Sequence, residues 1–397
     1  MITTMATTIT GTTLHQMLAE QIARRGDLGD RLTGTVLLDS GRGGVWTLAF
    51  DRGAVSWAEG VTNGRDVHVK TDPETLVAIL SGERSGIEAF LQGRLTVRGN
   101  LALSLKLDGL FSGPDRPVEF PRAGYARPMG LDTFYLEAGT GPPALLLHGL
   151  GATNASMLPT LFDLARSRRV IAPDLPGFGD SAKPIRSYDA AFFARWTLEL
   201  MDELGIARAD LIGNSMGGRV AIEVGLEAPQ RLGGIVLLAP SPAFIKRRQF
   251  VRLVRFLRPE LALIPVYVPR SRVVAGIKRM FSRPERLAET WYQAAADEFV
   301  RIFNTPRGRI AFFSAARQIY LEEPWGDTGF WERLPGLTVP SLFVWGERDR
   351  LVPAAFGPHV EKALPAARSV VLEDCGHVPQ YELPEETHEL IRGFLGR

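Results

Sequence analysis

An α/β fold with a mostly parallel, doubly wound sheet is predicted for the larger part of this chain, with a smaller α+β domain before it. Three observations predict this. From Gly124 onward, short apolar runs of strand length alternate with stretches of helical apolar spacing, the pattern of strand–helix–strand units. One such run, Asp210-Leu211-Ile212, passes through Gly213-Asn214-Ser215-Met216-Gly217-Gly218 straight into the helix-spaced Arg219–Leu226. Before residue 113 the order is different: strand-like runs separated by turn signals come first and helices follow, as in antiparallel hairpins packed with helices.

The 397 residues exceed what one hydrophobic core usually organises, so two domains are expected. A hydrophobic fraction of 45% and a charged fraction of 23% are ordinary for a globular protein. The single cysteine, Cys375, excludes an internal disulfide framework and a cysteine metal cluster. Residues 1–13 lack the basic start and apolar centre of a signal peptide, and no apolar run reaches membrane-spanning length. A cytoplasmic location is therefore expected. The net charge of +2 hides a basic stretch, Ser241–Ile310, with 15 Arg and Lys against 5 Asp and Glu. That stretch has no nucleic-acid-binding motif, so nucleic acid is not an expected partner.

In residues 1–112 the elements follow in order. Thr12–Arg25 places Leu14, Met17, Leu18 and Ile22 on one helical face. Strand-like runs come next at Leu32–Leu38, Val45–Phe50, Val55–Ala58 and Val67–Val69. Asp72 is placed to cap, and Pro73 to open, a helix with Leu76, Val77 and Leu80 on its apolar face. Ile87, Phe90 and Leu91 mark a short helix, Leu95–Arg98 a strand, and Leu101 to about Phe111 a last helix. Leu101, Leu103, Leu105, Leu107 and Leu110 are more apolar side chains than one face of a short helix needs, which leaves some to line a cavity. His15 and His68 have no partner nearby in sequence and read as ordinary surface or core residues. Thr71–Leu76, Ser81-Gly82-Glu83 and Phe90–Asn100 together resemble the sterol carrier protein family, with Arg94 and Asn100 where lysine and aspartate are commoner. The resemblance implies a hydrophobic tunnel for fatty-acyl or sterol-like lipid.

Proline-rich Ser112–Pro121 reads as an extended linker, so the expected domains are 1–112 and 124–397, joined through 113–123. Strands are expected near Tyr125–Met129, Thr133–Glu137, Ala144–Leu147, Arg169–Ala172, Asp210–Ile212, Gly234–Leu238, Ser341–Val344 and Ser369–Leu372. The motifs that carry chemistry sit at the carboxyl ends of these strands, where open α/β sheets bind ligands. Gly213–Gly217 has the form of a nucleophile elbow. The turn is tight enough to strain Ser215 and expose its Oγ, with glycines where a Cβ would collide. The Met216 amide then points at a developing oxyanion. In His148-Gly149-Leu150-Gly151 the Leu150 amide can be a second donor, with His148 bracing the loop. Asp174–Ser181 reads as a structural turn in which Asp180 bonds local amides.

A serine nucleophile needs a base, and the base needs an orienting acid. His377, in Asp374-Cys375-Gly376-His377, follows a strand and can be carried over Ser215 by its loop. His359 and His388 fall in expected helices and read as surface residues. Asp349 lies in the loop after Ser341–Val344, with Glu347 as the fallback. Ala239-Pro240-Ser241-Pro242 ends its strand without an acid, and Asp374 is too close in sequence to His377 to reach round its ring. The order Ser215, Asp349, His377, with four motifs at matching strand positions, resembles the α/β-hydrolase superfamily from about Gly124 to Arg397. The resemblance implies Ser215 as nucleophile, His377 as base then acid, and Asp349 holding the imidazole tautomer. The Leu150 and Met216 amides would form the oxyanion hole, and no metal or organic cofactor is implied. The implied function is hydrolysis of an ester or thioester of a hydrophobic, lipid-like substrate. Carbon–carbon cleavage of a diketone acid and non-catalytic lipid binding or transfer are the alternatives.

Residues 242–335 are where that superfamily commonly places a helical cap. In Phe244–Arg258, Phe250, Val254 and Leu257 share one face and Arg248, Arg252 and Arg255 another. Such a helix covers the pocket, makes peripheral contact with an anionic membrane, or attracts a substrate carrying carboxylate or phosphate. Trp291, Tyr292, Phe299, Phe303, Phe312, Phe313 and Tyr320 suit an apolar lining and core.

Overall fold

The computed structural model describes residues 10–24, 29–62, 64–110, 117–241, 254, 256, 258–264 and 266–396. They form two compact units, Met1–Gly124 with Ala288–Glu298, and Tyr125–Leu287 with Phe299–Arg397.

The sheet of the first unit comprises β1 (Thr33–Asp39), β2 (Val45–Asp51), β3 (Ala54–Glu59), β4 (Val67–Thr71) and β5 (Leu95–Gly99), in the order β3-β2-β1-β4-β5. Hairpins join β1 to β2 and β2 to β3, and β4 pairs antiparallel with β5. The expectation of hairpins alone needs correction, because β1 and β4 run parallel. β2 already occupies one edge of β1, so the chain leaving β3 crosses back and enters the other. Helices cover residues Gly11–Arg24, Pro73–Leu80, Gly86–Leu91 and Leu101–Leu110. Asp72 caps as its position requires, accepting the Thr75 amide at 2.8 Å with Pro73 in the first turn.

Leu18, Leu48, Leu76, Phe90, Leu101 and Leu105 are among the residues around an apolar cavity that encloses about 690 Å³ of atom-free space, its mouth included. Of the last helix, Leu101, Leu105 and Leu107 face this cavity, whereas Leu103 and Leu110 are buried away from it. Ser104 also lines it, and its buried Oγ has no hydrogen-bond partner.

The larger sheet contains β6 (Arg122–Ala126), β7 (Thr133–Ala138), β8 (Pro143–Leu147), β9 (Arg169–Pro173), β10 (Ala209–Asn214), β11 (Leu232–Leu238), β12 (Ser341–Gly346) and β13 (Arg368–Leu372). Its order is β13-β12-β11-β10-β8-β9-β7-β6. Pairs from β9 to β13 across the centre are parallel, and β7 meets β9 antiparallel. β6 begins and ends earlier than its apolar run suggests, since Pro128–Gly130 turn instead of extending. Every residue of β12, and Ala144–Leu147 of β8, is buried, as expected for strands covered on both faces by helices.

Beyond β11 the chain forms helices Arg270–Lys278, Glu289–Phe303, Pro306–Tyr320 and Phe330–Arg333. Most of the basic helix expected over Phe244–Arg258 lies outside the described residues, its Arg248, Arg252 and Arg255 included. Among the described residues, no helix is long and apolar enough to cross a membrane.

Candidate active site

β10 delivers Ser215 into a backbone conformation that L-residues rarely adopt, with φ 54° and ψ −114°, and the helix Met216–Glu227 starts at the next residue. The turn is that tight because neighbouring chains press on it. A Cβ on Gly213 would collide with the Gly217 backbone, and one on Gly217 with the Leu147 carbonyl. The strain is held by hydrogen bonds on both sides. The Ser215 amide donates to Leu238 O at 2.9 Å, and its carbonyl accepts the Ser241 amide at 3.0 Å and the Arg219 amide at 3.1 Å.

His377 and Asp349 meet beside this turn. His377 Nδ1 lies 2.7 Å from Asp349 Oδ2, while Asp349 Oδ1 accepts the amides of Leu351 and Val352 at 2.7 and 2.9 Å. With Nδ1 so engaged, Nε2 is the ring nitrogen left for other chemistry. The loop carrying His377 is tied to the elbow by Asn214, whose Nδ2 donates to His377 O at 3.1 Å and to Leu238 O at 2.9 Å. Ser215, Asp349 and His377 are each about 5% exposed or less.

The other acids and histidines point elsewhere. Glu347 accepts the Asp374 amide at 3.0 Å, and Asp374 is ringed by Arg283, Arg286 and Arg348. His359 is exposed beside Trp331. His388 is not the surface residue expected. The helix Pro384–Leu395 turns it inward with Thr387, Ile391 and Phe394, its Nε2 lies 3.2 Å from Thr160 Oγ1, and burial pushes its pKa down to about 4.

The loop after β8 passes directly over the serine: a Cβ on Gly149 would stand 3.3 Å from Ser215 Cβ. His148 braces this loop, with Nδ1 2.8 Å from Gly149 O and Nε2 accepting the Leu175 amide at 2.9 Å. Burial lowers its pKa to about 4, which keeps it neutral in this role. In the next turn Asp174 is an amide acceptor. Asp174 takes the Asn154 and Asp180 amides at 2.8 Å each, and the Asp180 side chain pairs with Arg301 at 3.1 Å. Asp174 follows β9 directly, so its buried carboxylate meets these amides at the strand's end.

Residues 142–384, more than half of the chain, match the family described as alpha/beta hydrolase fold. The chain belongs to that family. Residues 15–112 match the SCP-2 sterol transfer family. A pimeloyl-(acyl-carrier protein) methyl ester esterase of Aeromonas hydrophila is 30% identical over 65% of this chain and 97% of its own length. The dihydrolipoyllysine-residue acetyltransferase component of an acetoin cleaving system from Pseudomonas putida is 31% identical over 66% of this chain, which spans 65% of that longer relative. A 2-hydroxymuconate semialdehyde hydrolase of Pseudomonas putida is 28% identical over 67% of this chain and 91% of its own. Among solved structures, a membrane phospholipase A that is a bacterial virulence factor superposes with a TM-score of 0.62 and 26% identity, covering 81% of this chain and 97% of that one.

Within this α/β hydrolase, four of the seven aromatics assigned to the cap form one group. Phe299 stacks on Phe303 at 5.2 Å, with Phe312 and Phe313 edge-on to Phe303. Phe299 and Phe312 abut Gly151, where any Cβ would strike their rings. Trp291 and Tyr292 are grouped with the first unit instead. Tyr320 stands apart near Ser215: its hydroxyl oxygen is 3.3 Å from Ser241 Oγ, itself 3.3 Å from Ser215 Oγ. Sequence reasoning noticed Ser241 only for not being an acid and Tyr320 only as an aromatic. It also missed the fully buried Arg219, which joins Glu223 at 2.8 Å and Glu322 at 2.5 Å, both also paired with Arg333. An arginine four residues after the serine and a glutamate four further on, within a largely apolar helix, were the available signal.

Proposed function

We propose that this α/β hydrolase is a serine hydrolase that cleaves an ester or thioester of a hydrophobic, lipid-like substrate through an acyl-enzyme. Ser215 attacks the carbonyl carbon, His377 Nε2 takes its proton, and Asp349 holds the tautomer and offsets the imidazolium charge. The amides of Leu150 and Met216 hold the oxyanion. His377 then protonates the leaving group, activates water and returns a proton to Ser215 as the acid is released. The observation that carries this reading is the strained Ser215 turn at a helix N-terminus with the His377–Asp349 pair tied to it through Asn214. The apolar wall of Phe299 and Phe312 beside Gly151 favours a hydrophobic acyl or alcohol part. The esterase relative and the phospholipase structure support the ester as the bond attacked.

In the same reading the first unit binds lipid, supported by its match to the sterol transfer family and its apolar cavity. The hydroxymuconate semialdehyde hydrolase relative favours a second reading, carbon–carbon cleavage of a diketone acid with the same three residues. Labelling with a fluorophosphonate, followed by hydrolysis of p-nitrophenyl esters from short to long acyl chains beside a diketone acid, tests both. Ser215→Ala is expected to abolish the adduct and lower turnover by about 10³-fold or more. A wild-type protein without an adduct on Ser215 leaves non-catalytic lipid binding as the function.

A further inference from the structure

Two neighbours of β10 flank the nucleophile. The His148–Gly151 loop follows β8 on one side, and Ser241 follows β11 on the other. Ser215 therefore has a glycine-containing loop to one side and side-chain hydroxyls to the other. Ser241 is fully buried and Tyr320 nearly so. Ser241 Oγ lies 3.3 Å from Ser215 Oγ and 3.3 Å from the Tyr320 hydroxyl oxygen, and the phenol is near enough to Ser215 for the serine to influence its pKa. The phenol is fixed from the chain that follows it. Tyr320 ends its helix, and two residues on, Glu322 accepts Arg219 Nε at 2.8 Å, Arg219 Nη2 at 2.5 Å and Arg333 Nη2 at 3.0 Å. Arg219 belongs to the helix that begins at the nucleophile, so one ion network locks Tyr320 to Ser215. Neither the base nor the oxyanion donors of the proposed reaction require these hydroxyls.

We infer that Ser241 and Tyr320 donate hydrogen bonds to Ser215 Oγ as it leaves the acyl-enzyme, and that this departure is the step they accelerate. The inference rests on the reading of Ser215 as nucleophile. In deacylation, water adds to the acyl carbonyl carbon and gives a proton to His377. On collapse the C–Oγ bond breaks, its electron pair goes to Oγ, and His377 returns the proton there, freeing the acid. While the bond breaks, Oγ carries negative charge, and both hydroxyls can rotate to donate to it. Separations of 3.3 Å are long for neutral O–H···O bonds, so they contribute little at rest and tighten as charge builds. That is stabilisation of the transition state over the ground state. In acylation the same bonds also draw density from the attacking oxygen, and the two effects oppose each other. Burial and the nearby Asp349 charge raise the Tyr320 pKa, which keeps it a phenol and thus a donor.

The test compares the full-length wild type with Tyr320→Phe, Ser241→Ala and Ser241→Thr, using p-nitrophenyl butyrate in stopped-flow and steady-state assays and a fluorophosphonate for the acylation rate alone. Tyr320→Phe and Ser241→Ala are expected to lower kcat about 10-fold or more and to lower KM with it. A burst of p-nitrophenol should mark acyl-enzyme accumulation, kcat/KM should stay within about 3-fold, and Ser241→Thr should restore turnover. Fluorophosphonate labelling of both variants should keep its wild-type rate. Equal losses in kcat and kcat/KM without a burst, or no loss in either variant, would overturn the inference. The two substitutions lie on different elements, so thermal melts show which variant is folded and one folded variant decides. A wild type that fails to label at Ser215 defeats the nucleophile reading instead, a separate outcome.

Discussion

Replacing Asp349 with asparagine tests the proposed site at the point where geometry forces a choice. The carboxylate uses Oδ2 for His377 Nδ1 at 2.7 Å and Oδ1 for the Leu351 and Val352 amides at 2.7 and 2.9 Å. Asparagine has one acceptor oxygen for these two duties. If the oxygen stays on the amides, the NH₂ faces Nδ1, and the imidazole must present a lone pair there and carry its proton on Nε2. It then cannot accept the Ser215 proton. If the amide flips, His377 keeps its partner but the NH₂ is pressed against two buried N–H donors. The flip forfeits two bonds to a charged acceptor, about 3–6 kcal/mol together, against one bond in the first orientation. The first orientation therefore prevails. Turnover of p-nitrophenyl butyrate should fall about 10³–10⁴-fold. The urea midpoint, read alongside, should report a loss of only about 1–3 kcal/mol. Glu347→Gln serves as control, since Glu347 is half exposed and bonds Asp374 instead. An Asp349→Asn protein retaining a tenth or more of the activity would refute the assignment. So would a larger loss of turnover in Glu347→Gln.

Acid should weaken the fold through two histidines. His148 and His388 resist protonation until about pH 4 when folded but take a proton near 6.5 when unfolded, so their stabilisation is present above 6.5 and lost as pH falls towards 4. The urea midpoint should drop between pH 7 and 5, less steeply in His388→Gln, and a flat wild-type profile would contradict the burial argument. Arg219→Met strands Glu223 and Glu322 without their buried partner and should destabilise by about 3–5 kcal/mol, partly recovered by adding Glu322→Gln; unchanged melting would show that the network contributes nothing. In the first unit, Leu105→Trp fills the cavity and should abolish binding of a fluorescent long-chain fatty acid by the full-length protein, while equal binding would place the lipid elsewhere. Leu261, Leu263, Ile264 and Tyr267 are exposed just after the arginine-rich stretch, so sedimentation with vesicles containing phosphatidylserine should exceed that with phosphatidylcholine alone. Equal sedimentation with both would argue against an electrostatic membrane contact.

Much of this was legible in the sequence because the signals were local. Strand runs such as Ala144–Leu147 are buried on both faces, so they are continuous apolar stretches that periodicity detects directly. Asp72-Pro73 announces a helix start because the cap and the first turn are set by adjacent residues. The elbow reads plainly for the same reason. What escaped was fixed by tertiary path. Nothing local says that β4 joins β1 in parallel, because that depends on which edge was already taken. His388 looked like a surface residue because a helix of mixed polarity does not show which polar side chain its core will accept. Asp174 and Asp180 both suit a turn, and only the fold shows that Asp174 takes the Asn154 amide from a distant loop.

The glycines of the candidate site show why its geometry was more legible than its hydroxyls. Gly213 and Gly217 let the elbow close on β8, Gly149 lets the neighbouring loop reach Ser215, and Gly151 admits Phe299 and Phe312. Gly213 and Gly217 mark points where two segments approach more closely than a Cβ allows, and Gly149 and Gly151 sit at tight contacts, so each leaves a trace in the residue type. Ser241 and Tyr320 leave no such mark. A serine after a strand and a tyrosine at a helix end are compatible with many folds, and their meeting depends on the Arg219–Glu322 pairing between distant segments. Close backbone approach restricts the alphabet and can be read from sequence. A hydroxyl contact across the pocket restricts only the partner's position, and it becomes visible once both helices are in place.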